Sequence, residues 1–167
     1  MTSAAFAVFA CIVCIPAVAQ SELEMDRSSL RDLPPLYVSV YVEGNGGLTE
    51  LPGLDVSSLS QAVDSTLAAN NIRINHSEPG RVLDREPYLS VHINALQMEN
   101  GLVPFAIEIE IIQSVVVANL PDELIHAATW DSGIVGLVSQ DKLGTIRWAM
   151  VGLVKEFTED YWAVNPM

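Results

Sequence analysis

Three stretches of this sequence alternate apolar and polar residues with a period of two, and that alternation limits the fold more than any other feature. Leu36, Val38, Val40 and Val42 form one row, and Leu89, Val91, Ile93 and Ala95 form a second. Phe105, Ile107, Ile109 and Ile111 form a third, with Glu108 and Glu110 pointing the other way. A strand places successive side chains on opposite faces, so each row is the buried side of a half-covered strand. Sheets covered on both faces read instead as continuous apolar runs, as parallel sheets do. One face of this sheet is therefore expected to stay open, and its strands to be mostly antiparallel. Asn100-Gly101 between the second and third rows predicts a hairpin turn. Ile72-Arg73-Ile74 reads as a further short strand and His126–Asp131 as the last one.

Two other segments change period. Val56, Leu59, Val63 and Leu67 recur at helical spacing behind Asp55 and Ser57, either of which can cap a helix start. Asn70-Asn71 should end that helix, because Asn tolerates the left-handed conformation that follows a last turn. Leu143, Ile146, Met150, Val154, Phe157 and Tyr161 draw one stripe along a longer helix over 141–162, with Lys142, Arg147, Lys155, Glu156 and Asp160 assigned to its wet side. Two amphipathic helices on one face of such a sheet predict an α+β fold. It is a two-layer sandwich with a mostly antiparallel sheet of about four to five strands, in one domain over 34–166.

Ahead of this domain, Ala4–Ile15 is an unbroken apolar run, followed by Pro16 and by Ala17-Val18-Ala19. A short apolar core before a small-x-small site is the pattern of a secretory signal peptide, here residues 1–19. The run is shorter than the roughly 20 residues of a membrane span. Met1-Thr2-Ser3 lacks the usual basic residue, which leaves an uncleaved anchor as the alternative, and Val8-Phe9-Ala10-Cys11 only half resembles a lipobox. Cleavage after Ala19 leaves 167 − 19 = 148 residues without Cys11 and Cys14, hence a cysteine-free mature chain. The positive mean hydropathy of +0.31 owes much to this segment. Residues 20–33 are polar and without period, a flexible leader that Pro34-Pro35 ends.

All 13 net negative charges stay with the exported part. That acidity excludes nucleic acid as a partner, since its phosphates need clustered cations. The compartment that follows is the periplasm or the extracellular space, with any membrane association made through a partner.

The order of elements behind a signal resembles small periplasmic α/β domains similar to the amino-terminal domain of TolB. Thr129-Trp130, Ile146-Arg147, Phe157, Asp160-Tyr161 and Ala163-Val164-Asn165-Pro166 also resemble secreted bacterial proteins of uncharacterised function. The likeness covers the layout of about residues 34–166. It implies a role in envelope interactions and carries no catalytic residue to a position here.

Motifs for chemistry are sparse. His92, Glu108 and Glu110 can share the open face, and a His with two carboxylates can bind a divalent cation, although alternation alone also places all three outward. His76 and His126 lie in loop-like contexts. No Gly-x-Ser-x-Gly elbow occurs, and Ser132-Gly133 reads as a turn. Gly44-Asn45-Gly46-Gly47 lacks the Lys-Ser/Thr of a phosphate loop, so no cofactor is expected. Asn75-His76-Ser77 is a formal glycosylation sequon. Exposed aromatics mark protein contacts, which makes Tyr37, Tyr41, Tyr88 and Trp148 candidates for partner binding. Ile134 and Leu137 join them from the Gly-interrupted run Ile134–Val138. The function expected is protein binding without catalysis, as an accessory subunit of a cell-envelope or membrane-associated assembly. The alternatives are a small-ligand carrier with a pocket between sheet and helices, and a metal-assisted enzyme.

Overall fold

The computed structural model describes residues 27–45, 47, 48, 53–75 and 86–166. The signal segment with both cysteines, the start of the leader, Gly46, and His76 and Ser77 of the sequon lie outside the described residues. Four strands, β1 (Tyr37–Gly44), β2 (Tyr88–Ala95), β3 (Leu102–Val117) and β4 (Leu120–Ser139), form one sheet in chain order. Helix α1 (Val56–Ala69) follows β1, and α2 (Gly144–Val164) follows β4 after a single 3-10 turn at Gln140–Lys142. No helix among the described residues is long and apolar enough to cross a membrane.

The strand rows are buried as their alternation requires. Leu89, Val91, Ile93 and Ala95 of β2 meet Val103, Phe105, Ile107, Ile109 and Ile111 of β3 on one face. Leu59, Val63 and Leu67 of α1, with Ile146, Met150, Val154 and Phe157 of α2, complete the same core. This is the expected α+β layering of two helices on one side of a four-stranded sheet.

Local signals are satisfied at both ends of α1. The Asp55 carboxylate accepts from the Ser58 hydroxyl at 2.6 Å and from Ser58 N at 2.9 Å, and these two bonds, the hydroxyl's first, hold its pKa below the ordinary carboxylate value. Asn71 takes the left-handed backbone with φ of 58° just past the last turn, which a short polar side chain tolerates.

Several details differ from the sequence reading. β1 runs parallel to β2, made possible by the α1 crossover between them. Ile72–Ile74 supplies a single bridge to Leu36 and no further strand. Residues 27–33, read as the end of a flexible leader, are docked. Leu30 and Leu33 are core residues, and the Asn165 side chain donates to Leu30 O and accepts from Asp32 N. Two apolar side chains three apart were too few to register as a period. Asp160, assigned to the wet side of α2, is buried at 7% exposure.

The last hairpin is the largest departure. β3 and β4 outrun β2, whose final partner in that direction is Tyr88 opposite Ile112. Beyond that point the two strands continue as a two-stranded arm, in which Val115 pairs with Ile125 and Val116 with Leu124. A bulge between Ile111 and Ile112 marks its root. The run Ile134–Val138 belongs to β4 and lies along the edge of the sheet.

Candidate functional site: the open sheet face and its edge

Strand register sets out the uncovered face in rows. Tyr37, Tyr88 and Ile112 form the first row, next to Ala128. Ser39, Ser90, Glu110 and Asp131 form the second, and Tyr41, His92, Glu108 and Gly133 the third. Glu43, Asn94, Ala106 and Val135 form the fourth, with Leu137 beyond it. Neither helix covers these residues, because both pack on the other face.

Two chemistries share this face. Tyr37, Tyr41 and Tyr88 collect on the β1–β2 side and present phenol edges over apolar rings. Acidic groups collect toward β4, where Glu110 has Glu108 and Asp131 as neighbours. Burial is the main force that raises the Glu110 pKa, and the charges of Glu108 and Asp131 add to it against the pull of His92. The Tyr88 phenol is also raised, first by burial and then by Tyr41 and Glu110. His92 pairs with Glu43 at 3.7 Å, both well exposed.

The Glu110 shift has a consequence for stability. The folded chain holds that proton more tightly than the unfolded chain does. Stability therefore falls as pH rises through the ordinary glutamate value of 4.5 and on through the raised one, and the loss is complete above it. Glu110→Gln is expected to raise the melting temperature at about pH 7 while changing it little at about pH 4. Thermal melts of both proteins across that range check the sign; an unchanged or lower Tm at neutral pH contradicts it.

The six sequence candidates for partner binding do not form one surface. Tyr37, Tyr41 and Tyr88 are together on the open face, and Leu137 is on the same face at its β4 edge. Ile134 pairs with Ile107 and so belongs to the helix side of the sheet, exposed because β4 is the last strand. Trp148, 78% exposed, projects from the side of α2 opposite the core, which separates it from the tyrosines by the whole thickness of the protein. Its helical position, off the buried stripe, fixes that direction.

His92 and Glu108 are direct cross-strand neighbours, with Glu110 one row away. Even so, no group of three or more His, Cys, Asp or Glu that could hold a metal ion forms among the described residues. The histidine turns to Glu43 and not to Glu108 and Glu110 as a pair, which corrects the candidate ligand set. Ser132 lies within β4 and donates to the Glu156 carboxylate. His126 stands beside Ser114 in the arm, 3.4 Å away.

The space between sheet and helices is filled by side chains with no exposure, among them Leu59, Leu67, Ile109 and Phe157. A hollow of about 310 Å³ lies at the rim by Asn45, Gln97 and Gln140. Another of about 290 Å³ lies along the β3–β4 edge by Glu108, Asp131 and Ile134. Both are on the surface, away from the place a carried ligand was expected to occupy.

Two further features follow from β4 and were not apparent in the sequence. A Cβ on Gly136 would clash with the ring edge of Phe105, 2.6 Å from Cε1 and closer still to Cζ, so the phenyl group lies against this glycine. Its neighbour Val135, in contrast, is the most exposed large apolar residue of the described chain. The glycines at 133 and 136 broke the alternation and hid the strand.

No family model matches the chain, and no curated protein does. The TolB-like layout thus has no family model behind it. Among solved structures the chain is similar to a minor lipoprotein from Acinetobacter baumannii. The two share 10% identity over 78% of this chain and 93% of that one, with a TM-score of 0.36.

Proposed function

We propose that the chain is an exported, non-enzymatic domain that binds another protein through its open sheet face, as an accessory subunit of a cell-envelope or membrane-associated assembly. The observation that supports this reading best is the face itself. It is an uncovered sheet with three tyrosines grouped at one side and an acidic strip at the other. Tyrosine is enriched in protein interfaces, where it supplies apolar area and a hydrogen bond at once. Glu43, Glu108, Glu110 and Asp131 select a partner whose matching surface is basic. The signal-like segment and the lack of a catalytic motif agree with this role.

Purifying the tagged chain with its native assembly from membranes tests the reading. The chain is expected to co-migrate with a defined larger species, and Tyr41→Ala combined with Tyr88→Ala should release it. Trp148→Ala, on the opposite surface, should leave the association intact. A chain that elutes without any companion, or one whose companion ignores the tyrosine changes, would refute the role assigned to this face.

A further inference from the structure

We infer that β4 is a self-pairing edge, along which two copies of this chain join their sheets antiparallel about a two-fold axis near the middle of the strand. This uses the β4 edge of the sheet, at the far side of the open face from the tyrosines, and does not depend on that face binding anything. Among the described residues β4 is the last strand of the sheet and has β3 as its one neighbouring strand. Edges of this kind present unpaired N–H and C=O groups, and proteins normally blunt them with Lys, Pro or inward charges. From Ser132 to its end at Ser139 the strand carries no charged residue and no proline. The arm at its other end is also poorly covered, since a two-stranded ribbon alone is at best marginally stable in water.

The strand is complementary to itself. β4 breaks register with β3 a second time between Leu124 and Leu120, so the match is read over 124–135. When that part is laid on a second copy, with the axis between Thr129 and Trp130, positions 135 and 124 face each other and so do 134 and 125. Val135 is 81% exposed and Leu124 54%, and both lie on the open-face side. Ile134 is 44% exposed and Ile125 41%, and both lie on the helix side. The bulge at the root of the arm makes this match, because without its extra residue the faces would be out of phase. The same overlap sets Asp131 opposite Ala128. No acid then meets an acid within 124–135, which suits a chain of net charge −13. At the axis the Thr129 carbonyl already takes the Ser29 hydroxyl at 2.8 Å, so the ladder forms as two symmetric halves. The interface is isologous, the commonest form of dimer.

Sedimentation velocity of the purified chain over a range of concentrations tests this, with thermal melts to show that each variant is folded. The expected result is a dimer at high concentration. Val135→Glu and Leu124→Lys should each weaken it by about tenfold or more, and the two together should restore it, because the new charges face each other across the seam. The recovery in the double variant cannot come from misfolding. A monomer at every concentration overturns the inference, and so does a dimer that ignores both single changes or a double variant no tighter than the single ones.

Discussion

Phe157→Ala is expected to cost about 3–5 kcal/mol of stability, the largest loss from any single truncation in this fold. Phe157 has no exposure and stands where the two layers meet. Its ring meets Trp130 of β4 in a T-shaped contact at 5.3 Å and 65°, and lies 6.3 Å from Tyr161 in its own helix. Truncation removes the transfer energy of the ring and leaves a void that sheet and helix cannot both close. A domain of this size has roughly 5–15 kcal/mol of stability in all. The variant should therefore lose about a fifth of it or more, and melt roughly 10 °C lower. Urea unfolding measures the loss, with Trp148→Ala as the comparison, since an exposed residue off the core stripe should change stability by at most about 0.5 kcal/mol. A Phe157→Ala loss below about 1 kcal/mol would mean that the layers are not sealed at this ring.

The stripe that holds Phe157 was legible because helical spacing is redundant. Six residues from Leu143 to Tyr161 repeat one angle, and five of them are buried without exception. The strand rows were equally clear for β2 and for β3 as far as Ile111, where every second residue is buried. Legibility fails wherever burial on one face stops. The alternating row of β1 carried no record of direction, so its parallel pairing could not be read. β4 has few residues facing the core, with Trp130 the one fully buried, and its glycines remove side chains from the count. The arm has no body beneath it, so its apolar residues fall on both faces and show no period.

The candidate surface divides along the same line. Tyr37, Tyr41 and Tyr88 were found because they interrupt a clear alternation on the side away from the core. Ile134 and Leu137 were noticed as an apolar run but not placed, and the structure assigns them to opposite faces of one edge strand. Trp148 was correctly read as pointing off the stripe. Spacing along a helix gives an angle but not the neighbour at that angle, so its distance from the tyrosines was not visible. The docked segment 27–33 depends wholly on tertiary partners, Asn165 and Asp160 among them, which lie more than 130 residues away in sequence.

Those partners set up the second large effect. Asp160 is a carboxylate held inside the protein, accepting from Trp130 Nε1 at 3.1 Å and paired with Arg27 Nε at 2.6 Å. Asp160→Ala leaves the buried indole N–H without an acceptor and the guanidinium without its counter-charge, at an expected cost of about 2–4 kcal/mol. Asp160→Asn keeps an oxygen for the indole and loses only the charge, so it should cost clearly less. Arg27→Ala should cost least, because its side chain is 43% exposed and water can replace part of what it loses. If the three groups act as one unit, the Asp160→Ala and Arg27→Ala losses will fall short of additive by about 0.5 kcal/mol or more in a double-mutant cycle. The location of the damage distinguishes this cluster from an ordinary core residue. Trp130 stands next to the bulge at Thr129, and Ser29, two residues from Arg27, bonds to Thr129 and receives Gln113. Loosening Asp160 should therefore raise amide exchange at the root of the arm, over 127–131, more than along β2. Uniform loss of protection would instead make Asp160 a contributor to global stability alone, with no part in fixing the arm against the body of the sheet.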